Sequence, residues 1–353
     1  MSKHKFPYNW TLADAVFTKD KGKVFSCFAC GGGSTMGYKL AGYDVLGCNE
    51  IDPRMAECYI TNHKPKYAFI EPIQEFKLKD NLPADLYDLD ILDGSPPCSS
   101  FSLAGNRDKD WGKEKHFREG QAKQVLDTLF FNFIDLAEKL QPKVVIAENV
   151  EGIMQGKAKK YLVAILQALD NAGYAPQFQV LDSADMGVPQ RRRRVFIFGL
   201  RKDLAVKMPQ KADLFNSIPV LDLCFSEREI PFSEIDTKEK SGKICKSVLD
   251  MYDRVAQGAN FGTAHPKGSY FSLYKASEKK PLPTIAGVNQ SQSAIFHPTI
   301  KRALNDTELM LGSTFPLDFD FGKVKVLFAC AMSVPPVMMA KVAERVYSQW
   351  LKK

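Results

Sequence analysis

The sequence has 353 residues, of which 45% are hydrophobic and 25% are charged, a composition typical of folded globular proteins. This composition excludes a chain that is mainly disordered, collagen-like or coiled-coil, and the length predicts two domains or one large domain with an insert. A net charge of +7 permits a nucleic-acid partner without demonstrating one. Because no apolar run reaches about 18 residues and residues 1–10 carry no apolar stretch, we expect no membrane span, no secretory signal and reduced cysteines.

Short β-like runs alternate with helical stretches over residues 1–200. Strands are predicted at residues 23–28, 45–49, 86–92, 143–147, 178–181 and 195–198, and helices at residues 33–41, 121–140 and 161–169. The continuous apolar run at residues 143–147 is typical of a parallel strand that is covered on both faces. The alternation predicts an α/β fold with a doubly wound, mostly parallel sheet.

The pattern breaks after residue 200. Residues 201–282 lack clear periodicity, which predicts a second, smaller and irregular domain. Ordered segments return near residue 283, and an amphipathic helix is predicted over residues 334–350, where Met338, Val342, Val346 and Trp350 recur every fourth residue. We expect this helix to pack back onto the first domain.

A glycine-rich turn follows the first predicted strand. In Phe28-Ala29-Cys30-Gly31-Gly32-Gly33 the glycines permit positive φ angles and a close approach of the backbone to a ligand. Asn49-Glu50-Ile51-Asp52 ends the second strand about 20 residues later, where an acid can accept hydrogen bonds from ribose hydroxyls. Together they indicate a cofactor that contains a nucleoside. A purely structural turn with a surface carboxylate, and a redox pair of Cys27 and Cys30, stay open as alternatives.

A cysteine follows two prolines directly after the third predicted strand, in Pro96-Pro97-Cys98-Ser99-Ser100-Phe101-Ser102. This position is the carboxyl end of the sheet, where ligands bind in doubly wound folds. A thiol on rigid backbone in a polar setting is a candidate nucleophile. The alternative is an inert buried cysteine.

An acid closes the apolar strand at residues 143–147, in Glu148-Asn149-Val150. A carboxylate at the end of a buried strand is costly unless it has a partner or a task. Glu148 is therefore a candidate for acid–base chemistry, the alternative being a loop carboxylate bonded to local amides.

An arginine run precedes the last predicted strand, in Gln190-Arg191-Arg192-Arg193-Arg194. Because residues two apart in a strand share a face, Gln190, Arg192 and Arg194 are expected to point together toward a cleft. Arg191 and Arg193 then point the other way, either toward phosphate or simply toward solvent.

Taken together, these segments resemble the DNA cytosine-5 methyltransferase family. The order FACGGG, NEID, PPCSSFS, ENV, QRRRR and a late SVPP at residues 333–336 is the family's order, and residues 282–316 are similar to its penultimate motif. The resemblance covers nearly the whole chain. It implies a Rossmann-like catalytic and cofactor-binding domain at residues 1–200 and a target-recognition domain at residues 201–282. Residues 283–353 would complete the target-recognition side and end in a helix that returns to the catalytic domain.

The resemblance also implies a role for each residue that matches a family motif. Cys98 would add to C6 of cytosine, Glu148 would hold N3 and the amino group, and Arg192 would bind O2 and help orient Glu148. S-adenosylmethionine would be bound by Phe28, Gly31, Gly33, Glu50, Ile51, Pro97, Leu129, Ser333 and Val334. The flipped base or the DNA would be contacted by Ser99, Ser102, Asn149, Gln190 and Arg194. No metal is expected.

The implied activity is methyl transfer from S-adenosylmethionine to C5 of a cytosine that is flipped out of a specific double-stranded DNA sequence. We expect a monomer without membrane association, located in the bacterial cytoplasm or in a phage-infected host. A restriction endonuclease that acts on the same DNA site, without binding the enzyme, is an expected companion.

Some positions depart from the family pattern, and rival functions follow from the same residues. Cys30 replaces a usual Gly, Ser99 a usual Gln, and Ala331-Met332 a usual Gly-Asn, which predicts an altered donor pocket. A tRNA cytosine-5 methyltransferase stays open, because Cys224-Phe225-Ser226 is close to the Cys-Phe-Thr signature of that branch. A non-catalytic DNA-binding relative is disfavoured by the presence of both Cys98 and Glu148. A dinucleotide-dependent oxidoreductase leaves the later motifs unexplained.

Overall fold

The computed structural model describes residues 6–97, 128–156, 158–208, 219–240, 242, 244–286 and 293–352, and the backbone of residues 114–115 and 124–125. The chain divides into two compact units. The sheet unit comprises residues 17–181, 193–224 and 342–353, and the irregular unit comprises residues 1–16, 182–192 and 225–341.

The sheet unit is built on a seven-stranded, mostly parallel sheet. The strands of the chain in order are β1 (Lys23–Cys27), β2 (Asp44–Asn49), β3 (Tyr67–Phe69), β4 (Ile91–Gly94), β5 (Glu114–Lys115), β6 (Gln124–Val125), β7 (Val144–Val150), β8 (Tyr174–Asp182), β9 (Arg193–Arg201), β10 (Tyr274–Lys275) and β11 (Ile295–Phe296). The sheet has the order β3-β2-β1-β4-β7-β9-β8. Its pairings from β3 through β7 are parallel, and β9 runs antiparallel to β7. The predicted doubly wound α/β fold is confirmed.

Helices pack against this sheet around an apolar core. They are α1 (Gly33–Leu40), α2 (Pro53–His63), α3 (Ile73–Phe76), α4 (Leu129–Leu140), α5 (Ala158–Asn171) and α6 (Lys202–Ala205). Helix α2 begins where the Asp52 side chain accepts a hydrogen bond from the Arg54 amide at 2.9 Å, with Pro53 in the first helical position. In the core, the rings of Phe25 and Phe76 stack with centroids 5.6 Å apart.

Two predicted elements of the sheet unit are wrong in extent. The strand predicted over residues 86–92 overlaps β4 (Ile91–Gly94) only at residues 91–92, because residues 84–87 form a 3₁₀ helix after Pro83. The three-residue spacing of the buried Leu86 and Leu89 suits that tighter helix and the turn after it. The helix predicted from residue 121 begins at Leu129, because residues 124–125 pair with residues 114–115 as the β5–β6 ladder instead.

The irregular unit has short helices and little sheet among its described residues. Its helices are α7 (Lys246–Tyr252), α8 (Asp306–Gly312), α9 (Val326–Met332) and the first part of α10 (Pro336–Val346). A small core brings Met251, Tyr252, Phe261 and Phe296 together. Helix α8 begins with a capping box, in which Asn305 and Glu308 each bond the other's backbone amide.

The C-terminal helical stretch is apolar but buried. The helix predicted from residue 334 begins at Pro336, since proline suits the first helical position, and it ends in a π turn at Tyr347–Leu351. By length and composition Val326–Leu351 is apolar enough to cross a membrane, but 89% of its most apolar window is buried within the protein. That burial is typical of core helices. Trp350 packs edge-on against Phe198 of β9 with ring centroids 6.3 Å apart.

Candidate active site

The candidate active site lies where the strand order of the sheet reverses. The chain passes from β1 to β2 on one side and later to β4 on the other, which opens a crevice at the carboxyl ends of β1 and β4. Cys27 lies opposite Gly94, and Gly94 lies opposite Ala147. The loops after β1, β4 and the end of β7 therefore emerge at one level, and each carries a predicted motif.

The glycine turn (residues 28–33) has a strained backbone. Phe28 and Cys30 have φ angles of 53° and 48°, although neither is glycine, and Gly32 has φ 90°. A Cβ at Gly32 would lie 2.0 Å from Nε2 of His63, whereas one at Gly31 would find ordinary contact distances. Gly32 is therefore the glycine that this packing requires, while the sequence reasoning selected Gly31 and Gly33.

Glu50 is buried beside this turn. One carboxylate oxygen accepts a hydrogen bond from the Cys30 amide at 2.7 Å, and the other accepts one from the Asp52 amide at 2.9 Å. Burial raises the pKa of Glu50, and these amide hydrogen bonds oppose that rise. A carboxylate offers about four lone-pair directions, so Glu50 can hold the turn and still accept a hydrogen bond from a ligand.

Glu148 forms an ion pair with Arg194 across the antiparallel strands β7 and β9. The Arg194 Nε atom lies 2.9 Å from Glu148 Oε1, and the side chains are 13% and 11% exposed. The pairing follows from the register, because Val150 lies opposite Arg194 and Glu148 lies two residues before Val150. Burial lowers the pKa of Arg194, and the neighbouring Glu148 opposes that change. The pair leaves Oε2 of Glu148 without a protein partner among the described residues.

Asn149 connects β7 to the proline loop. Its side-chain amide donates a hydrogen bond to the Pro96 carbonyl at 3.2 Å, and its carbonyl oxygen accepts one from the Val150 amide at 2.8 Å. The backbone two residues before Cys98 is thereby fixed next to Glu148. Cys98, Ser99 and Ser102 themselves lie outside the described residues.

The arginine run alternates between buried and exposed positions, as predicted. Gln190 and Arg192 are buried, whereas Arg191 and Arg193 are exposed. Arg191 binds Asp182 at 2.6 Å and also contacts Glu229, and Arg193 binds Glu151 at 2.9 Å. The outward arginines are therefore surface cations with acidic partners, although the regular strand begins only at Arg193.

Gln190 and Arg192 make their contacts within the irregular unit. The Gln190 side chain accepts a hydrogen bond from the Ile285 amide at 3.0 Å and donates one to the Gly312 carbonyl at 3.2 Å. Arg192 donates to the carbonyls of Ala331 at 2.9 Å and Ile285 at 3.4 Å. Both side chains thus hold segments of this unit together.

The remaining predicted cofactor positions fall in both units. Ile51 and Pro97 are half-buried after β2 and β4, and Leu129 is buried in the core at the start of α4. Ser333 and Val334 follow α9 in the irregular unit and are buried. The Ser333 hydroxyl has no hydrogen-bond partner among the described residues.

Sequence reasoning missed a buried carboxyl at the centre of the sheet unit. Asp93 in β4 accepts hydrogen bonds from the Ser26 hydroxyl at 2.7 Å and the Tyr38 hydroxyl at 3.1 Å. Burial raises the pKa of Asp93 to about 7. Asp93 lies inside β4, just before the motif that contains Pro96 and Pro97, and no sequence pattern singled it out.

A second group of ionisable side chains lies in the irregular unit. Ligand atoms of Asp236, His297 and Glu308 all lie within 4.8 Å of one another, a spacing that a metal ion could use. However, Asp236 is bonded to Lys238 at 2.7 Å, and Glu308 is bonded to Arg302 at 2.6 Å. The cationic side chains already neutralise these carboxylates, which favours a structural ion-pair network over a metal centre.

Comparison with known proteins agrees with this arrangement of motifs. The family model for C-5 cytosine-specific DNA methylases matches residues 22–348. The chain belongs to this family. The expected enzyme class, DNA cytosine-5 methyltransferase, is thereby confirmed.

Curated relatives include bacterial type II methyltransferases. M.Sau96I of Staphylococcus aureus is 30% identical over 332 residues, which cover 90% of this chain and 74% of that protein. M.NgoFVII of Neisseria gonorrhoeae is 26% identical over 346 residues, covering 93% of this chain and 87% of that protein. M.FnuDI of Fusobacterium nucleatum is 33% identical over 184 residues, 52% of this chain, and the match spans about half (48%) of that relative.

Solved structures share the fold. A prophage-encoded E. coli protein assigned as a DNA modification methyltransferase has a TM-score of 0.64 at 21% identity, covering 94% of this chain and 99% of that one. The Dnmt2 methyltransferase of S. pombe has a TM-score of 0.60 at 15% identity, with coverages of 94% and 99%. At these identities the likeness establishes the fold alone.

Proposed function

We propose that this methyltransferase modifies C5 of a cytosine flipped out of a specific double-stranded DNA sequence, through a covalent bond between Cys98 and C6. The observation that carries the proposal is the Glu148–Arg194 ion pair beside the loop that Asn149 fixes just before Cys98. That arrangement brings an acid, one of whose carboxylate oxygens has no hydrogen-bond partner among the described residues, to the place where the thiol motif leaves the sheet.

Cytosine C5 is a poor nucleophile, so a nucleophile of the enzyme must first add to C6 of the ring. The Cys98 thiolate forms a bond to C6, and the electron pair of the C5–C6 double bond becomes available at C5. S-adenosylmethionine, when bound, would supply the electrophilic methyl group: C5 forms a bond to it as the S–CH3 bond breaks, and S-adenosylhomocysteine is the leaving group. A base, which we take to be water, then removes the C5 proton, and the thiolate leaves C6 to restore the ring.

Glu148 controls whether N3 of the cytosine ring carries a proton. Its carboxyl gives a proton to N3 as the thiolate adds and takes it back as the thiolate leaves, while it accepts a hydrogen bond from the amino group. Arg194 fixes the orientation of Glu148 through Oε1, which leaves Oε2 for the base. Arg192 is proposed to bind O2 of the cytosine.

The residues at the glycine turn suit S-adenosylmethionine. Glu50 is held by two backbone amides and has lone pairs left for ribose hydroxyls. The buried Ser333 hydroxyl, which lacks a partner among the described residues, is of the kind that a polar ligand satisfies. Phe28, Ile51 and Pro97 would provide apolar contacts for the adenine and the ribose.

Target recognition is proposed to reside in the region assigned to it, residues 201–282. One segment there, the recognition loop (residues 261–273), is rigid although irregular. It is closed by a hydrogen bond from the Phe261 amide to the Leu273 carbonyl at 2.8 Å. Inside it, Nδ1 of His265 accepts hydrogen bonds from the amides of Lys267 and Ser269, each at 3.2 Å. A loop ordered before binding loses little entropy when it meets a partner.

The recognition loop presents a cation and an aromatic ring. Lys267 is exposed, and the Phe271 side chain is 72% exposed. We propose that Lys267 contacts phosphate and that Phe271 makes apolar contact with base edges. Lys267→Ala should weaken binding to all duplexes alike and lower the salt slope of binding by about 1. Phe271→Ala should instead reduce discrimination between target and non-target duplexes, by about tenfold for one lost base contact.

Fluorescence-anisotropy titrations at several salt concentrations, with target and non-target duplexes, distinguish the two effects. Lys202→Ala, in which the lysine removed pairs with Asp170 of the sheet unit, is the matched control. If both loop variants keep the affinity and the salt slope of the unaltered protein, this loop does not contact DNA.

We further propose a role in restriction-modification, because curated relatives are named as type II methyltransferases. The enzyme would act as a cytoplasmic monomer and would protect sites that a separate endonuclease cleaves. The endonuclease would recognise the same DNA sequence without binding the methyltransferase.

Bisulfite sequencing of plasmid DNA from cells that express the protein tests the proposed activity. We expect protected cytosines in one short sequence, lost in Cys98→Ser and retained in Cys245→Ser, which removes an exposed thiol elsewhere. Protection that persists in Cys98→Ser would refute the covalent route. Plasmid DNA without protected cytosines, together with modified tRNA from the same cells, would favour the tRNA branch instead.

A further inference from the structure

His63 packs against the glycine turn from the end of helix α2. Its Nε2 atom lies 3.3 Å from the Gly31 carbonyl oxygen, and the ring fills the space that a Cβ at Gly32 would need. The residue is 5% exposed. Because a carbonyl oxygen can only accept, Nε2 carries the hydrogen and donates to it.

The turn needs such support because its backbone is strained. Phe28 and Cys30 adopt positive φ angles, which are unfavourable for residues other than glycine. Strained conformations persist only when surrounding contacts fix them. The Glu50 carboxylate accepts a hydrogen bond from the Cys30 amide, and the His63 ring donates one to the Gly31 carbonyl. Cys30 and Gly31 are consecutive residues, so the turn is held at two adjacent positions.

His63 is itself held firmly. Its ring packs on Tyr59 with centroids 4.4 Å apart, and the Tyr59 hydroxyl bonds Thr35 of α1 at 2.9 Å. The carbonyl of His63 accepts a hydrogen bond from Lys39 of α1 at 3.0 Å. The imidazole therefore connects the turn to both flanking helices.

We propose that His63 is a positioning residue for the binding of S-adenosylmethionine. It fixes the glycine turn in the conformation that binds the cofactor and does not touch the reacting atoms. The inference rests on the proposed function, because it takes this turn to be the cofactor site. It assigns a task to a histidine that belongs to no motif in the sequence.

The histidine acts as a neutral donor, not as a pH sensor. Burial, together with the nearby charge of Lys39, lowers the pKa of His63 to about 3, and the hydrogen bond to Gly31 opposes the change. The ring therefore keeps one N–H hydrogen throughout the neutral range, and that hydrogen is directed at the turn.

The test is calorimetric titration of the folded protein with S-adenosylmethionine. His63→Phe keeps the ring but removes the N–H donor, and we expect cofactor affinity to fall about three- to tenfold, the worth of one neutral hydrogen bond. His63→Gln can place its amide N–H near the same oxygen and should recover most of that loss. Thr61→Ala, on the exposed side of the same helical turn, should bind as the unaltered protein does.

Steady-state kinetics add a second readout. KM for S-adenosylmethionine should rise in His63→Phe while kcat at saturation stays the same, since the reacting groups are untouched. An unchanged dissociation constant in His63→Phe would overturn the inference. A fall in kcat at an unchanged KM would also overturn it.

A double-variant cycle covers the case in which His63→Phe folds poorly. Gly32→Ala should weaken cofactor binding because its Cβ meets Nε2 at 2.0 Å. If the His63 ring shapes the turn, the double variant Gly32→Ala with His63→Ala should bind S-adenosylmethionine more tightly than the sum of the two single-variant losses in affinity predicts. Additive losses would refute the inference. Absence of cofactor binding in the unaltered protein would instead refute the proposed function, so the two failures are distinguishable.

Discussion

The two units each contain a buried arginine–glutamate pair, and the pairs differ in what surrounds the carboxylate. In the irregular unit, Glu308 and Arg302 are 0% and 1% exposed, and Glu308 accepts five hydrogen bonds, two from Arg302 and the others from Thr237 and Asn305. In the sheet unit, Glu148 has Arg194 as its protein partner among the described residues.

This difference separates a structural acid from the acid that we propose takes part in the reaction. A carboxylate offers about four lone-pair directions, and Glu308 has used them all on its own protein. Within the described part of the chain, Glu148 uses only its contact with Arg194, and it lies at the edge of the sheet where loops meet. Burial alone would class the two residues together, so saturation by hydrogen bonds is the better guide to function.

Changing Glu148, the proposed reactive acid, should have the largest effect. Glu148→Gln keeps an oxygen for Arg194 but has no proton to give to N3, so we expect methyl transfer to slow about 10²- to 10⁴-fold. Single-turnover assays at saturating DNA and S-adenosylmethionine measure the rate. Glu151→Gln, the neighbouring acid that pairs with exposed Arg193, is the control and should stay near the unaltered rate. Near-normal methyl transfer by Glu148→Gln would show that Glu148 does not supply the proton to N3.

Changing the saturated acid should instead reduce stability. Glu308→Gln leaves the buried Arg302 guanidinium without its counter-charge, at a cost of about 3–5 kcal/mol. Hydrogen–deuterium exchange should accelerate in residues 225–341 and stay unchanged in residues 17–181. Replacing both partners, as Arg302→Met with Glu308→Leu, should recover much of the loss. Equal acceleration in both units would show that the pair supports the whole protein.

Asp93 extends the comparison to a buried acid with hydroxyl partners. Its pKa of about 7 in the folded protein exceeds the usual 3.8, so the folded state keeps a proton that the unfolded chain has released. The free energy of unfolding should therefore fall as pH rises from about 4 to about 7, by at most about 1.4 kcal/mol per pH unit. Urea unfolding at several pH values should show this slope, and Asp93→Asn should flatten it. An identical pH dependence in both proteins would contradict the assignment.

The smallest expected effect lies in the glycine turn. Cys30→Gly relieves a positive φ angle but increases the entropy of the unfolded chain, so we expect a gain in stability of up to about 1 kcal/mol. Thermal unfolding measures it. Cys30→Ala keeps the strained angle and should show no gain. A loss in Cys30→Gly larger than about 1 kcal/mol would mean that the thiol makes a contact worth more than the strain.

Periodicity predicted most strands of the sheet, but it did not predict the three-residue strand β3, which is too short to show a pattern. The run at residues 143–147 and the alternation through the arginines both predicted what the structure shows. The strand prediction failed at residues 86–89, because the apolar content of this segment suggested a strand while the three-residue spacing of Leu86 and Leu89 fits the 3₁₀ helix that forms there. The roles assigned to Cys98, Ser99 and Ser102 stay predictions.

The sequence by itself determined the family, the fold class and the order of the motifs, because these depend on residue type and on spacing along the chain. Only the tertiary structure decided that Arg194 pairs with Glu148, whereas the resemblance had assigned the orientation of Glu148 to Arg192. It also decided that Gly32 is the required glycine and that His63 lies against it. These contacts depend on the register between strands and on the approach of a distant helix. Neither leaves a local pattern in the chain, because partners far apart in sequence meet only when the sheet has formed.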